Sequence, residues 1–247
     1  MKNRLQAIHV IIAVNVVVFI IMYLYDSSLS YTTLVDFGAK INFRIVDWKL
    51  WHLITPVFLH GSFSHLIFNS LALFYFGPLV ERFLGTKNFV LSYLLIGIIA
   101  TMGSFMFSTV PSLGASGAIY GLLAFHVYLF TLNRERYLQI FGNSIFALII
   151  FNVIYSFISP NIDIPGHFFG FLGGLLVFFI SSPYAKKLYK RIAAVGLILI
   201  YLAFCYQFIS YKGTLDYYMK KGYYLQEKGD LEGLQELQEQ IQYTPQL

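Results

Sequence analysis

Charge is scarce in this chain. Asp, Glu, Lys and Arg make up 12% of its 247 residues, about half the share of a soluble globular domain, which excludes a surface of ordinary water-facing polarity. Cysteine is nearly absent. With Cys205 alone, an intramolecular disulfide and any multi-cysteine metal site are excluded, and Cys205 reads as a small packing residue. No stretch resembles a phosphate-binding loop or an H-E-x-x-H metal helix, so no cofactor is expected.

What the chain has instead is apolar length. Hydrophobic residues fill 57% of the positions, in runs at roughly 6–25, 65–80, 89–108, 117–132, 143–158, 167–181 and 192–210. Each approaches the length needed to cross a bilayer as a helix. Seven helical spans are expected in an all-α polytopic membrane protein. The first run follows Lys2 and Arg4 but is too long for a signal-peptide core and is followed by no A-x-A site, so it reads as a retained span.

The net charge of +5 does not point to nucleic acid, because the basic residues are segregated. With the N-terminus inside, the inner segments hold Lys2, Arg4, Arg82, Lys87, Arg134, Arg136, Lys186, Lys187, Lys190 and Arg191 against only Glu81 and Glu135. The outer segments keep seven basic residues against ten acidic ones. Short inner loops rich in Lys and Arg are the pattern of cytoplasmic loops, and seven spans then put the C-terminus outside. The segment from Asp26 to Thr55 contains "DWKLWHLITPVF"; Trp48 and Trp51 suit the headgroup level, and this loop is expected to rest on the outer leaflet. After Tyr211 the composition turns polar with apolar residues at helical spacing, predicting one or two short helices outside. Part of that tail, "KGYYLQEKGDLEGLQELQEQI", faintly resembles one tetratricopeptide hairpin, and one copy cannot bury a stacked core.

A few polar side chains lie inside the apolar runs, where a lone one is costly. They are His65 and Asn69 in the second run, Ser116 in the fourth and His167 in the sixth, with Asn15, His126 and Asn152 as lesser cases. His65 lies 17 positions before Arg82, Ser116 18 before Arg134 and His167 19 before Lys186. At 1.5 Å per helical residue the three share one level, about 25–29 Å from the inner boundary and below the outer surface. Irregular backbone at that depth is tolerated only where protein or a water-filled cavity covers it, which the loops "TVPSLGAS" and "SPNIDIPG" require.

Glycines indicate which helices meet. Gly117 and Gly121 follow Ser116, and Gly170 and Gly174 follow His167, so both helices carry a G-x-x-x-G face. If those faces pack together, Ser116 comes within hydrogen-bonding reach of His167. The imidazole could then take the hydroxyl proton as oxygen attacks a carbonyl and return it to a leaving amine. Ser116 starts a helix, where backbone N–H groups favour an oxyanion, and His65 and Asn69, one turn apart, could donate to the same oxygen. Gly114 would let the chain turn into that helix. Each element alone has a bland reading: a small residue at a packed interface, or a satisfied buried polar group.

Together these residues resemble the rhomboid intramembrane serine proteases. The likeness spans roughly residues 5–185 and rests on Gly114-Ala115-Ser116-Gly117 as G-x-S-G, on His167, Gly170 and Gly174 as H-x-x-G-x-x-x-G, and on His65 and Asn69 as H-x-x-x-N. It implies that Ser116 is the nucleophile and His167 the general base of a dyad, with His65, Asn69 and the Ser116 amide at the oxyanion. It further implies that the ring of Tyr120 packs on the catalytic histidine and that His60 has a structural or hydrogen-bonding role. The implied architecture is a six-helix core (1–185) with an outer loop at about 26–60, an inner loop and seventh helix (186–210) and an external tail (211–247). Substrates would be transmembrane segments of other proteins, cut near the outer side of the bilayer, in the cell membrane of a bacterium. One departure stands out: many members carry Trp-Arg in the first outer loop where this chain has Trp51-His52, which puts in question the loop anchoring an arginine would provide. Asp163, four residues before His167, offers a triad as an alternative, although Pro165 and Gly166 are expected to interrupt helical phasing. A catalytically silent relative that binds membrane clients, and a small transporter with polar residues at mid-membrane, remain the competing readings.

Overall fold

The computed structural model describes residues 6–158 and 162–243, and the described residues are helical apart from their connections. The basic residues Lys2 and Arg4 and the loop positions 159–161 lie outside them. All seven apolar runs are helices: α1 (Ala7–Tyr25), α4 (Phe63–Leu84), α5 (Thr86–Phe107), α6 (Ser116–Leu132), α8 (Ser144–Ile158), α9 (Ile164–Ser181) and α10 (Lys187–Tyr211). Between α1 and α4 lie two short helices, α2 (Tyr31–Phe37) and α3 (Asn42–Val46), and two single 3-10 turns at Leu50–Leu53 and Thr55–Phe58. The connection after α6 forms α7 (Arg134–Phe141), and the tail forms α11 (Leu215–Lys228) and α12 (Leu231–Tyr243).

Five of the seven, α1, α4, α5, α9 and α10, are long and apolar enough to cross a membrane. The other two are shorter than the expected spans: α6 has 17 residues and α8 has 15, or about 26 and 22 Å against a hydrocarbon core of about 30 Å. Helix α6 starts only at Ser116, after a segment tied to the first loop through Ser112 and Gly114. Helix α8 enters through a tight turn at Gly142 (φ 58°), where α7 and the 145–154 part of α8 meet at 87°.

Helix α9 packs chiefly on α6 and α5, and α1 packs on α4. The α6–α9 seam is backbone on backbone, as the paired glycines require: a Cβ on Gly170 would run into the carbonyl of Gly117, and one on Gly174 would stand 2.6 Å from the Gly121 Cα. Helix α5 closes on the same pair, with Gly103 against Phe169 and Gly173 against Ile99. At the far end, the amides of Ala7 and Ile8 donate to the Glu81 carboxylate at 2.9 and 3.2 Å. Glu81, 4% exposed, is thus the anion at the start of α1; composition alone marked it only as a charge of the inner loop.

The tail docks on the first loop. Tyr217 and Lys221 of α11 donate to Asp47 at 2.9 and 2.8 Å, and two turns on, Tyr224 and Lys228 donate to Asp36. Arg44 of α3 lies over the Tyr224 ring, 5.1 Å from its centroid. The tail and the 26–60 loop therefore lie on the same side of the helical bundle, and Trp48 packs edge-on against Phe208 of α10 at 5.1 Å.

Candidate active site

Ser116 is the first residue of α6, and the turn that delivers it is built on Gly114. There φ is +120°, which an L side chain rarely adopts. A Cβ at Gly114 would also lie 2.6 Å from His65 Nε2, so the missing side chain is what lets that ring stand beside the backbone leading to Ser116, with Asn69 Nδ2 next to it. The Gly114 amide donates to Pro56 O at 2.9 Å, tying the turn to the first loop. Ala115 at the N-cap provides no side-chain cap. The first-turn N–H groups of α6, which no helical carbonyl can reach, thus meet no capping oxygen from that residue.

His167 enters from α9, in its first turn. Its Nε2 lies 2.8 Å from Ser116 Oγ, and the ring stacks on Tyr120 with centroids 4.2 Å apart at 17°. Ser116, His167, Gly114 and Gly117 border one small cavity together with Thr101 of α5 and Val57 of the loop. Beside Gly114, His65 takes a helix start capped by Ser62, whose hydroxyl accepts from the His65 amide at 3.2 Å. Asn69 sits one turn further, 6% exposed, its Nδ2 without a hydrogen-bond partner among the described residues. A hydroxyl on an imidazole nitrogen, a bare helix start and an unused amide donor can together activate an oxygen nucleophile and receive a developing negative charge.

His60 packs edge-on to His65 at 5.1 Å and 69°. It precedes α4, and burial, with a smaller contribution from His65, pulls its pKa down to about 3, so it is neutral at physiological pH. Among the lesser polar residues, Asn15 is fully buried in α1, and His126 Nδ1 lies 3.3 Å from the Tyr137 hydroxyl; neither reaches the cavity.

One expectation is corrected. Pro165 and Gly166 do not break the phasing of α9, which begins at Ile164 with proline in its first turn, where its missing N–H costs nothing. Asp163 is consequently the N-cap residue: Oδ1 accepts from the Gly166 amide at 3.0 Å and Oδ2 from the Ser112 hydroxyl at 2.5 Å. Its carboxylate clasps the loop before α6 to the start of α9 and is not hydrogen-bonded to the His167 ring.

Three roles are not marked in the sequence. His52, standing where an arginine was expected to anchor the loop, does anchor it: its Nδ1–H donates to Ala39 O at 2.5 Å with the ring fully buried. Next to it Lys40 is buried, donating to Asn42 Oδ1, Ser108 O and Val110 O at 3.2, 2.9 and 2.7 Å. The Lys40 backbone pairs with Ser112 at 2.8 and 3.2 Å, so the first loop grips the segment that leads to Ser116. Burial pulls the Lys40 pKa down to about 8, opposed by Asp163 and Asp216. The third is Ser156 of α8, whose Oγ lies 2.9 Å from His167 Nδ1. A lysine in a polar loop and a serine in an apolar run carry no spacing signal that would have singled them out.

A family model described as the Rhomboid domain matches residues 47–184, more than half of the chain and the whole stretch from the anchoring loop to the end of α9. The chain belongs to the rhomboid family. It is similar to the Rhomboid protease GluP of Bacillus subtilis (strain 168), with 40% identity over 203 residues, 80% of this chain and 39% of GluP. YdcA of the same strain is 36% identical over 156 residues, 62% of this chain and 78% of that protein. Rhomboid-like protease 3 of Toxoplasma gondii is 30% identical over 167 residues, 63% of each chain. This rhomboid thus spans well under half the length of GluP, and, with its apolar helices, is an integral membrane protein.

Proposed function

We propose that this rhomboid is an intramembrane serine endopeptidase working through a Ser116–His167 dyad. The observation that carries the reading is the 2.8 Å approach of Ser116 Oγ to His167 Nε2 at a helix start that lacks a side-chain cap. Neutral His167 accepts the hydroxyl proton as Oγ attacks the scissile carbonyl. The tetrahedral oxyanion is received by the Ser116 amide, the His65 ring and the Asn69 amide, a reading supported by His65 Nε2 and Asn69 Nδ2 standing beside Gly114. Imidazolium then gives its proton to the leaving amine, and a water, activated by the same Nε2, hydrolyses the acyl-enzyme. Gly114, Gly170 and Gly174 support this by keeping Cβ atoms out of the places where His65 and the α6 backbone must stand, and Gly117 by leaving room for Ala100 of α5. The Tyr120 ring holds the plane of His167.

The topology that fits is six spans forming the protease (1–185), an inner loop and seventh span (186–210) and an outer tail (211–247). The charge distribution supports a cytoplasmic N-terminus, and the docking of α11 on the 26–60 loop supports an external C-terminus. The site then opens toward the outer half of the bilayer of a bacterial cell membrane. Substrates are single transmembrane segments with helix-weakening residues near that boundary, since a helix must unwind before it can present a carbonyl.

The test is cleavage of a panel of single-span proteins by purified enzyme in vesicles. Wild type cuts at least one near its outer boundary, and Ser116→Ala and His167→Ala do not. Cleavage persisting in Ser116→Ala sinks the mechanism; binding of clients without cleavage by wild type supports the silent reading instead.

A further inference from the structure

His167 has two ring nitrogens, and the proposed dyad uses one. The other, Nδ1, faces Ser156 Oγ of α8 at 2.9 Å. Ser156 is 5% exposed and sits in a closed set of hydrogen bonds. Its hydroxyl lies 3.1 Å from its own helix carbonyl, Asn152 O, and 2.5 Å from the Tyr120 hydroxyl. Tyr120 in turn donates to Asn152 O at 2.6 Å.

Counting protons shows what this set can do. For Nε2 to accept from the Ser116 hydroxyl, a neutral imidazole must carry its hydrogen on Nδ1. Ser156 Oγ then accepts from Nδ1–H. Its own hydrogen goes to Tyr120 Oη or Asn152 O, and the Tyr120 hydrogen goes to Asn152 O, a carbonyl with two lone pairs. Every donor has an acceptor. The ionisable groups around the ring are Asp163 at the start of α9, His65 on α4 and Tyr120 on α6, and the one carboxylate among them is engaged by Ser112 and Gly166.

We propose that Ser156 is the positioning residue of His167: its hydroxyl accepts Nδ1–H and thereby fixes the tautomer and rotation that leave Nε2 bare toward Ser116. In soluble serine hydrolases a buried aspartate has this task. Within a membrane an unpaired carboxylate is expensive, whereas a hydroxyl whose own hydrogen is satisfied by a helix carbonyl is neutral. It can set geometry while adding no charge. Helix α8, which supplies no reacting atom, becomes part of the machinery through this one side chain.

This inference rests on the dyad reading, and the experiment separates the two. Ser156→Ala, Ser156→Val and Ser156→Thr are purified with wild type, and each is assayed for cleavage in vesicles and for the 15N resonances of His167. Losing an outer partner that orients a functional histidine costs about 10–100-fold elsewhere. The same loss is expected in kcat for Ala and Val with KM unchanged, while Thr, which keeps the hydroxyl, stays within about threefold of wild type. In the spectra His167 of wild type and Ser156→Thr is protonated on Nδ1, and Ala and Val give a mixture of the two tautomers. Full kcat in Ser156→Ala, or an unchanged tautomer whatever the rate, overturns the role of Ser156. Equal losses in Ala, Val and Thr with one tautomer throughout would show a packing effect and overturn it too. Cleavage surviving in Ser116→Ala would instead remove the dyad, and the tautomer measurement would still decide whether Ser156 orients the ring.

Discussion

The α6–α9 seam and the assembly of the outer loop with the tail are held by opposite means. The seam depends on missing side chains: a Cβ on Gly170 or Gly174 would run into the backbone at Gly117 or Gly121, and Gly117 and Gly121 leave room for Ala100 and Ile96 of α5. The outer assembly depends on side chains that are present and polar. Lys40 and His52 hold the loop from within, and Asp36 and Asp47 receive Tyr224, Lys228, Tyr217 and Lys221 of α11 from without. In hydrocarbon there is no hydrophobic gain from bringing two helices together, so close packing must supply the attraction. At the water boundary charged contacts are available but screened and individually weak. The positions that fix the 2.8 Å Ser116–His167 distance should therefore tolerate almost no change, and those that fix the tail should tolerate a good deal.

The largest effect should come from the seam. Gly170→Val places branches where the Gly117 carbonyl now lies and is expected to abolish measurable cleavage in vesicles and to lower the melting temperature in detergent, because a misplacement of about 1 Å already costs about 100-fold. An active Gly170→Val would show that the seam does not set the dyad. Next, His65→Ala and Asn69→Ala each remove a candidate donor to the oxyanion without touching the seam. Each should lower kcat about 10²–10³-fold with little change in melting temperature. A rate loss that tracks a loss of stability would place them in the scaffold instead.

The outer loop should respond to acid. Burial pulls His52 down from 6.5 to about 4, with Arg44 adding to it against the bond to Ala39, and His60 follows the same direction to about 3. Both are bases with lowered folded-state pKa values, so their cost to stability is absent above about pH 6.5. It grows as pH falls toward 4, where the unfolded chain binds protons that the folded one refuses, and reaches about 3 kcal/mol for His52. The melting temperature should drop between pH 7 and pH 4.5, and His52→Gln should flatten part of that drop; a curve that is flat or rises on acidification contradicts the assignment. The smallest effect is at the tail. Lys221→Ala removes a partly exposed pair with Asp47 and should cost about 1 kcal/mol or less, leaving vesicle cleavage within about twofold. A larger loss of activity would mean that the tail shapes the site through the loop.

The same contrast explains what the sequence could convey. The seam was legible because glycine at i and i+4 has few other uses in an apolar helix, and because Ser116, His65 and His167 lie at matching distances from charged inner boundaries. Rarity in a greasy background made them visible. Lys40 and His52 were not legible as anchors, since a lysine or histidine in a 30-residue polar loop is ordinary and its carbonyl partners, Ala39 O, Ser108 O and Val110 O, have no side-chain signature. Glu81 looked like one charge of an inner loop, and only the fold brings the start of α1 to it, 74 residues away in sequence. Asp163 was misjudged for a local reason: proline in a first helical turn continues the helix, so the residue before Ile164 becomes a cap. Ser156 was invisible because a single hydroxyl in an apolar run is common, and its meaning depends on which nitrogen of a histidine eleven residues away it meets.

The central claim is that Ser116 is a nucleophile made reactive by His167. The most direct measurement is the intact mass of the protein after exposure to a serine-directed fluorophosphonate in detergent, followed by peptide mapping. Wild type should gain one adduct, on Ser116; His167→Ala should gain none while melting at the same temperature. An adduct on any other residue, or equal labelling of Ser116 with and without His167, would contradict it.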